Sequence, residues 1–210
     1  MNQVNLNEDQ QDCLQEIINV AMGQASDQLA RYLDTFVYLK VPSIEQVSAQ
    51  HLSDTLKGEA QSVAVVSQGF FGYEGIRGEA LLMYQPKDSD RLADLLGYEP
   101  DELSVEEQII DLSSILTTTF LNVFANQIDN QMSYSAPRLL FSSNANSNTS
   151  SQSSISEHIQ HNSFNWDVAL KVKISYQVTD YSFTCDMILL IPESAIINIT
   201  SVIDRILEDY

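Results

Sequence analysis

Basic side chains are scarce in this sequence: ten Lys and Arg stand against 29 Asp and Glu, a formal charge of −19. That balance repels phosphate backbones and anionic lipid surfaces, so it argues against a nucleic-acid or membrane-surface role and leaves room for a protein partner with a basic patch. Cysteine is nearly absent. Cys13 and Cys185 are too few and too far apart for a disulfide framework or a thiolate metal site, and each reads as a small apolar packing residue. The three histidines, His51, His158 and His161, share no ligand spacing with a cysteine or an acidic pair, so no metal site is expected. No apolar run approaches the ~18 residues of a membrane span. The opening MNQVNLNED has neither a positive nor an apolar signal region, and a cytoplasmic location is the expectation.

What the sequence does have is helical periodicity. Asn7 is positioned as an N-cap with Gln10 three residues on, and Leu14, Ile17, Ile18, Ala21, Ala25 and Leu29 follow at a 3.6-residue period. This predicts an amphipathic helix over 8–33, followed by a strand over 36–41 and a polar link over 44–56. Two strands, 61–70 and 75–84, then form a hairpin across Phe71, Gly72, Tyr73 and Glu74, and a helix over 88–96 stops at Gly97.

The same order then recurs. Ser104 and Glu107 make a second capping box, and Ile109, Leu112, Leu116, Phe120, Val123 and Phe124 give the buried face of a second long helix. A strand near 137–141, a hairpin of 164–178 with 181–191, and a C-terminal helix over 193–207 complete the copy. A chain of 210 residues admits one domain or two small ones, and the repetition favours one domain with halves of about 1–100 and 101–210. The expected class is α+β: an antiparallel sheet with pseudo-two-fold internal symmetry and the two long helices packed on one side. The Ser/Asn-rich run 142–156 has almost nothing to bury and is expected to be a mobile surface insertion.

The repeat also carries a spaced constellation. Asp12, Glu16, Asn19 and Pro42 stand at the same offsets as Glu107, Asp111, Ser114 and Pro137. On a helix, Asp12, Glu16, Asn19 and Gly23 share one stripe beside the buried face, so Glu16 and Asn19 point together at one object outside the protein. A carboxamide both accepts and donates hydrogen bonds, whereas an ionised carboxylate only accepts and suits a cation.

The acid-x3-Glu-x2-Asn-x22-Pro arrangement, with the run Glu-Ile-Ile-Asn-Val-Ala-Met-Gly-Gln-Ala, resembles the CheC/CheX/FliY family of chemotaxis phosphatases. The resemblance implies a CheC-like fold and hydrolysis of the aspartyl phosphate on a CheY-like receiver domain. It implies that Asn19 orients the attacking water and that Glu16 pairs with a lysine of the receiver. Asp12, Gly23 and Pro42 would flank the partner. The Mg2+ of such a reaction belongs to the receiver, and no cofactor of this chain's own is implied. Aspartyl phosphate is already activated, so positioning supplies most of the catalysis.

The second copy departs from the pattern. Asp111 is one methylene shorter than glutamate, Ser114 lacks carboxamide reach, and Thr118 adds bulk where the first copy has Gly23, so a single working site is expected. Ile18 stands where the family often has glycine, on the buried side of Asn19. Two other readings stay open: a non-catalytic adaptor that docks on a receiver or a CheD-like deamidase, and a structural part of a flagellar switch.

Overall fold

The computed structural model describes residues 6–48, 51, 64–84, 92–99, 102–141, 168–178 and 183–208. The Ser/Asn-rich run 142–156 lies outside them, as do residues 49, 50 and 52–56 of the expected link, 88–91 of the expected helix, and 61–63, 164–167 and 181–182 of the expected hairpins. In chain order the elements are α1 (Glu8–Tyr32), β1 (Val37–Ser48), β2 (Ala64–Gly72), β3 (Arg77–Tyr84), α2 (Leu92–Leu96), α3 (Val105–Gln127), β4 (Met132–Tyr134), β5 (Arg138–Phe141), β6 (Val168–Val178), β7 (Phe183–Pro192) and α4 (Glu193–Glu208).

Both long helices start where their caps dictate. The Asn7 side chain accepts from the Gln10 N–H at 2.9 Å while the Gln10 carboxamide accepts from the Asn7 N–H at 3.0 Å. Ser104 and Glu107 make the same reciprocal pair, and the hydrogen bonds from Ser104 hold the Glu107 carboxyl below its usual pKa. Each arrangement satisfies donors that the first helical turn leaves without intrahelical partners.

All strand pairings are antiparallel, in the order β1-β6-β7-β3-β2, with β4 and β5 both on the far edge of β2. The order is symmetric about the central β7–β3 pair. Outward from it on each side come the partner strand of a hairpin and then an outer strand contributed by the other half of the chain: β1 on β6, β5 on β2. The sheet is thus the antiparallel α+β layer expected from the sequence.

Alternate sheet residues face a layer of α1, α3 and α4 and join one core with them. Leu14, Ile18 and Leu29 of α1 meet Leu112, Leu116 and Phe120 of α3, Ile196, Ile199 and Ile203 of α4, and Val66, Leu82, Ile174 and Leu189 from the sheet. Each such aliphatic side chain contributes roughly 1.5–3 kcal/mol by leaving water. Composition alone makes α3 long and apolar enough to cross a bilayer, yet most of that stretch is buried against α1 and the sheet, so its apolar face is consumed by the core. The opposite sheet face is buried as well at Val65, Leu81, Ile188 and Leu190, where Ser67 donates to the buried Glu79 carboxylate.

Two expectations need correcting. The polar link expected from Ile44 onward is strand as far as Ser48, paired to β6 through Val47↔Ala169 and Ser48↔Val168. As an outermost strand it buries little, so its sequence looks like a linker. The short β4, which pairs Phe70↔Tyr134, was not expected at all. The first hairpin turns through Tyr73–Gly75, with Glu74 and Gly75 at φ 58° and 74°.

Candidate functional site

The helical period that buries Leu14, Ile17, Ile18, Ala21 and Ala25 leaves Asp12, Glu16, Asn19 and Gly23 exposed on the facing stripe. Among the described residues, Glu16 takes part in no hydrogen bond or ion pair. The Asn19 side-chain oxygen accepts from Gln15 Nε2 at 3.2 Å, a surface contact that water readily replaces. A Cβ added at Gly23 would meet no atom within 4 Å, so the space over this turn is open. The stripe therefore presents an acceptor for a cation and, one turn on, a carboxamide able to accept from and donate to the same water.

Pro42 does not share that exposed surface. It is buried in β1 at the register shift between Lys40 and Ser43. On an outermost strand its missing N–H costs no ladder bond, so its placement has a structural reason.

Beside the stripe runs a groove of about 720 Å³ lined by Asp9, Asp12, Cys13, Glu16, Ile17 and Val20 of α1, Gln127 of α3, and Ile206 and Leu207 of α4. The far wall is tied to α1 where Gln10 Nε2 donates to Asp204 Oδ1 at 2.7 Å. Burial raises the pKa of the Cys13 thiol, which keeps it protonated. The α4 side of this groove was not foreseen, because periodicity along one helix says nothing of which helix lies next to it.

The second copy presents the reverse situation. Asp111 accepts from the Tyr98 hydroxyl at 2.7 Å, and this bond, ahead of desolvation and carboxylate charge, pushes the phenol pKa up to about 12. Tyr98 is delivered there by the end of α2. Gly97 adopts φ 74° and the Tyr98 N–H returns to the Ala93 carbonyl at 2.9 Å, a closure that favours glycine. Glu107 is held by its own cap, and the Thr118 hydroxyl donates to the Ser114 carbonyl at 2.6 Å. Where α1 leaves Glu16 open, α3 has committed the matching Asp111 carboxylate to the fold, while the Thr118 bond engages the Ser114 main chain and leaves its hydroxyl alone. Side-chain reach had suggested a weakened second stripe; Tyr98 was invisible in that reasoning.

Among the described residues no cluster of three His, Cys, Asp or Glu side chains could hold a metal ion. No protein-family model matches the sequence, and no curated protein matches it. Solved structures do. The FliY of Thermotoga maritima superposes with a TM-score of 0.63 at 17% identity, over 95% of this chain and 98% of that one. FliM in the FliM–SpeE complex of H. pylori gives 0.65 at 13%, over 96% and 97%. FliM in the FliG–FliM complex of H. pylori gives 0.62 at 13%, over 93% and 100%. The chain therefore has the fold of FliY and of the FliM middle domain, consistent at fold level with the resemblance read from its motif.

Proposed function

We propose that this chain is a phosphatase for the aspartyl phosphate of a CheY-like receiver domain, with one working site at Glu16 and Asn19. The observation that carries this reading is the asymmetry between the two helical stripes. Glu16 and Gly23 are exposed and uncontacted and Asn19 makes one surface bond to Gln15, while Asp111, the counterpart of Glu16, is engaged by Tyr98. A surface whose one internal bond is exposed and replaceable by water is available to a partner.

In this reading Asn19 enters the receiver's active site and accepts a hydrogen bond from the attacking water, holding it in line with the phosphorus. Its nitrogen donates to a phosphoryl oxygen or to the backbone. Glu16 pairs with the receiver's lysine and fixes the approach. The receiver supplies Mg2+, and the water's proton leaves to phosphate or solvent, so this chain needs no base of its own. A receiver partner would place the protein in the cytoplasm.

The test is phosphate release from a phosphorylated receiver. Asn19→Ala should lower turnover by about 10²-fold or more, the usual cost of one positioning group, with receiver affinity nearly kept. Near wild-type turnover would refute the mechanism. A second reading is a docking module without chemistry, favoured by the likeness to FliM captured in complexes with FliG and SpeE. In that case receiver binding, or adaptor binding to a CheD-like deamidase, would persist with no phosphate loss above the receiver's own rate.

A further inference from the structure

The groove beside the stripe has a one-signed rim. Asp9, Asp12 and Glu16 line it from α1, and Cys13, Ile17, Val20, Ile206 and Leu207 supply its apolar surface. Among the described residues no lysine or arginine lines it, and the three helices that form it have no cation left to give. α3 contains none, Arg31 of α1 is at the far end and bound to Asp27 at 3.0 Å, and Arg205 of α4 is turned to Glu74 at 2.7 Å. Nothing within the described part of the chain neutralises the rim, while Leu207 remains 39% exposed at its lip. From Asp9 to Val20 the groove follows about three turns of α1, roughly 16 Å.

We propose that this groove docks a cationic amphipathic segment of the receiver-domain partner, apolar side chains against Ile17, Ile206 and Leu207 and lysine or arginine against Asp9 and Asp12. Charge complementarity selects the occupant. A rim of uncompensated carboxylates disfavours an acidic segment or an anionic lipid surface, and an apolar floor of this length fits a helix laid in a groove with anchors at i, i+3, i+4 and i+7. The proposal deepens the phosphatase reading and rests on it for the identity of the partner: Glu16 lies both on the groove's rim and on the stripe, so a segment seated here brings the rest of its domain over Asn19.

Two arms test it. In the first, a labelled synthetic peptide of about 14 residues carries leucine at the four anchor positions and lysine elsewhere, and its partner control has the same composition with the leucines scattered around the helix. The wild-type chain should bind the first at least about tenfold more tightly than the second, and Leu207→Asp or Asp9→Lys should each weaken it about tenfold, with Asn19→Ala unchanged. In the second arm, with a phosphorylated receiver, Leu207→Asp should raise KM about tenfold and leave kcat alone, opposite to Asn19→Ala. Equal binding of both peptides shows charge attraction without a groove and overturns the proposal. So does a helical, folded Leu207→Asp chain with wild-type KM. If the wild-type chain dephosphorylates no receiver, the phosphatase reading falls and the peptide arm alone decides the groove.

Discussion

Replacing Tyr98 with phenylalanine removes one oxygen, the donor that occupies Asp111 at 2.7 Å. Asp111 is half-buried, so water replaces the lost donor and no charge is orphaned. The cost is then the net worth of one charge-assisted bond at the protein's rim, about 1 kcal/mol, well short of the ~3–5 kcal/mol for stranding a buried charge. For a chain of this size that lowers the melting temperature by roughly 2–4 °C. The pH dependence carries a sign. The folded phenol is raised from 10.0 to about 12, mainly because it donates to Asp111. The stabilisation is therefore complete below the unfolded pKa and is lost as pH rises through the folded one, a window of about 10 to 12. Melting curves of the two proteins should differ by a constant amount up to its lower limit and then converge. A phenolate absorbance titration should lose one late-titrating group in Tyr98→Phe. Identical melting at neutral pH, together with an unaltered late titration, would show that Tyr98 does not hold Asp111.

Three more outcomes follow from the geometry. Glu16→Lys should weaken receiver binding and rate together, and added salt should not restore them fully; turnover altered at unchanged affinity would assign Glu16 another role. Gly78→Ala should destabilise by about 3 kcal/mol or more in a urea melt, because its methyl would collide with the Leu190 carbonyl and the Phe70 ring; a loss under about 0.5 kcal/mol would mean β3 and β7 yield more than packed strands do. In an Asn19→Ala background, Asp111→Glu, Ser114→Asn and Thr118→Gly should recover little phosphatase activity while Tyr98 remains, and more when Tyr98→Ala is added; full recovery without that fourth change would show that Tyr98 blocks nothing. The mid-helix glycine itself should cost about 1 kcal/mol.

The helices were legible in the sequence because capping and a 3.6-residue period are local signals: Asn7 with Gln10 and Ser104 with Glu107 set both starts. The central strands were legible from their continuous apolar runs. The later part of β1 was not, since Ile44 and Val47 stand three residues apart among Ser43, Glu45, Gln46 and Ser48, which shows no two-residue period and is a composition shared with linkers. β4 spans Met132–Tyr134, too short to show any period. The exposed stripe of Asp12, Glu16, Asn19 and Gly23 could be read from spacing alone. What occupies its counterpart could not, because the Tyr98–Asp111 contact depends on where a glycine-ended turn sets α2 against α3, a tertiary fact.

The strand order has a consequence for how such a chain can change. Since β1 hydrogen-bonds to β6 and β5 to β2, each half finishes the other's sheet, as in two subunits that exchanged an arm and were then joined end to end. Neither half could be discarded without leaving its counterpart an open edge and half a core. The chemistry on one helix face, by contrast, is removable at no cost to the sheet beneath it. The scaffold thus keeps both halves under structural selection whatever side chains either helix face carries, so the sheet can be held constant while the exposed stripes diverge.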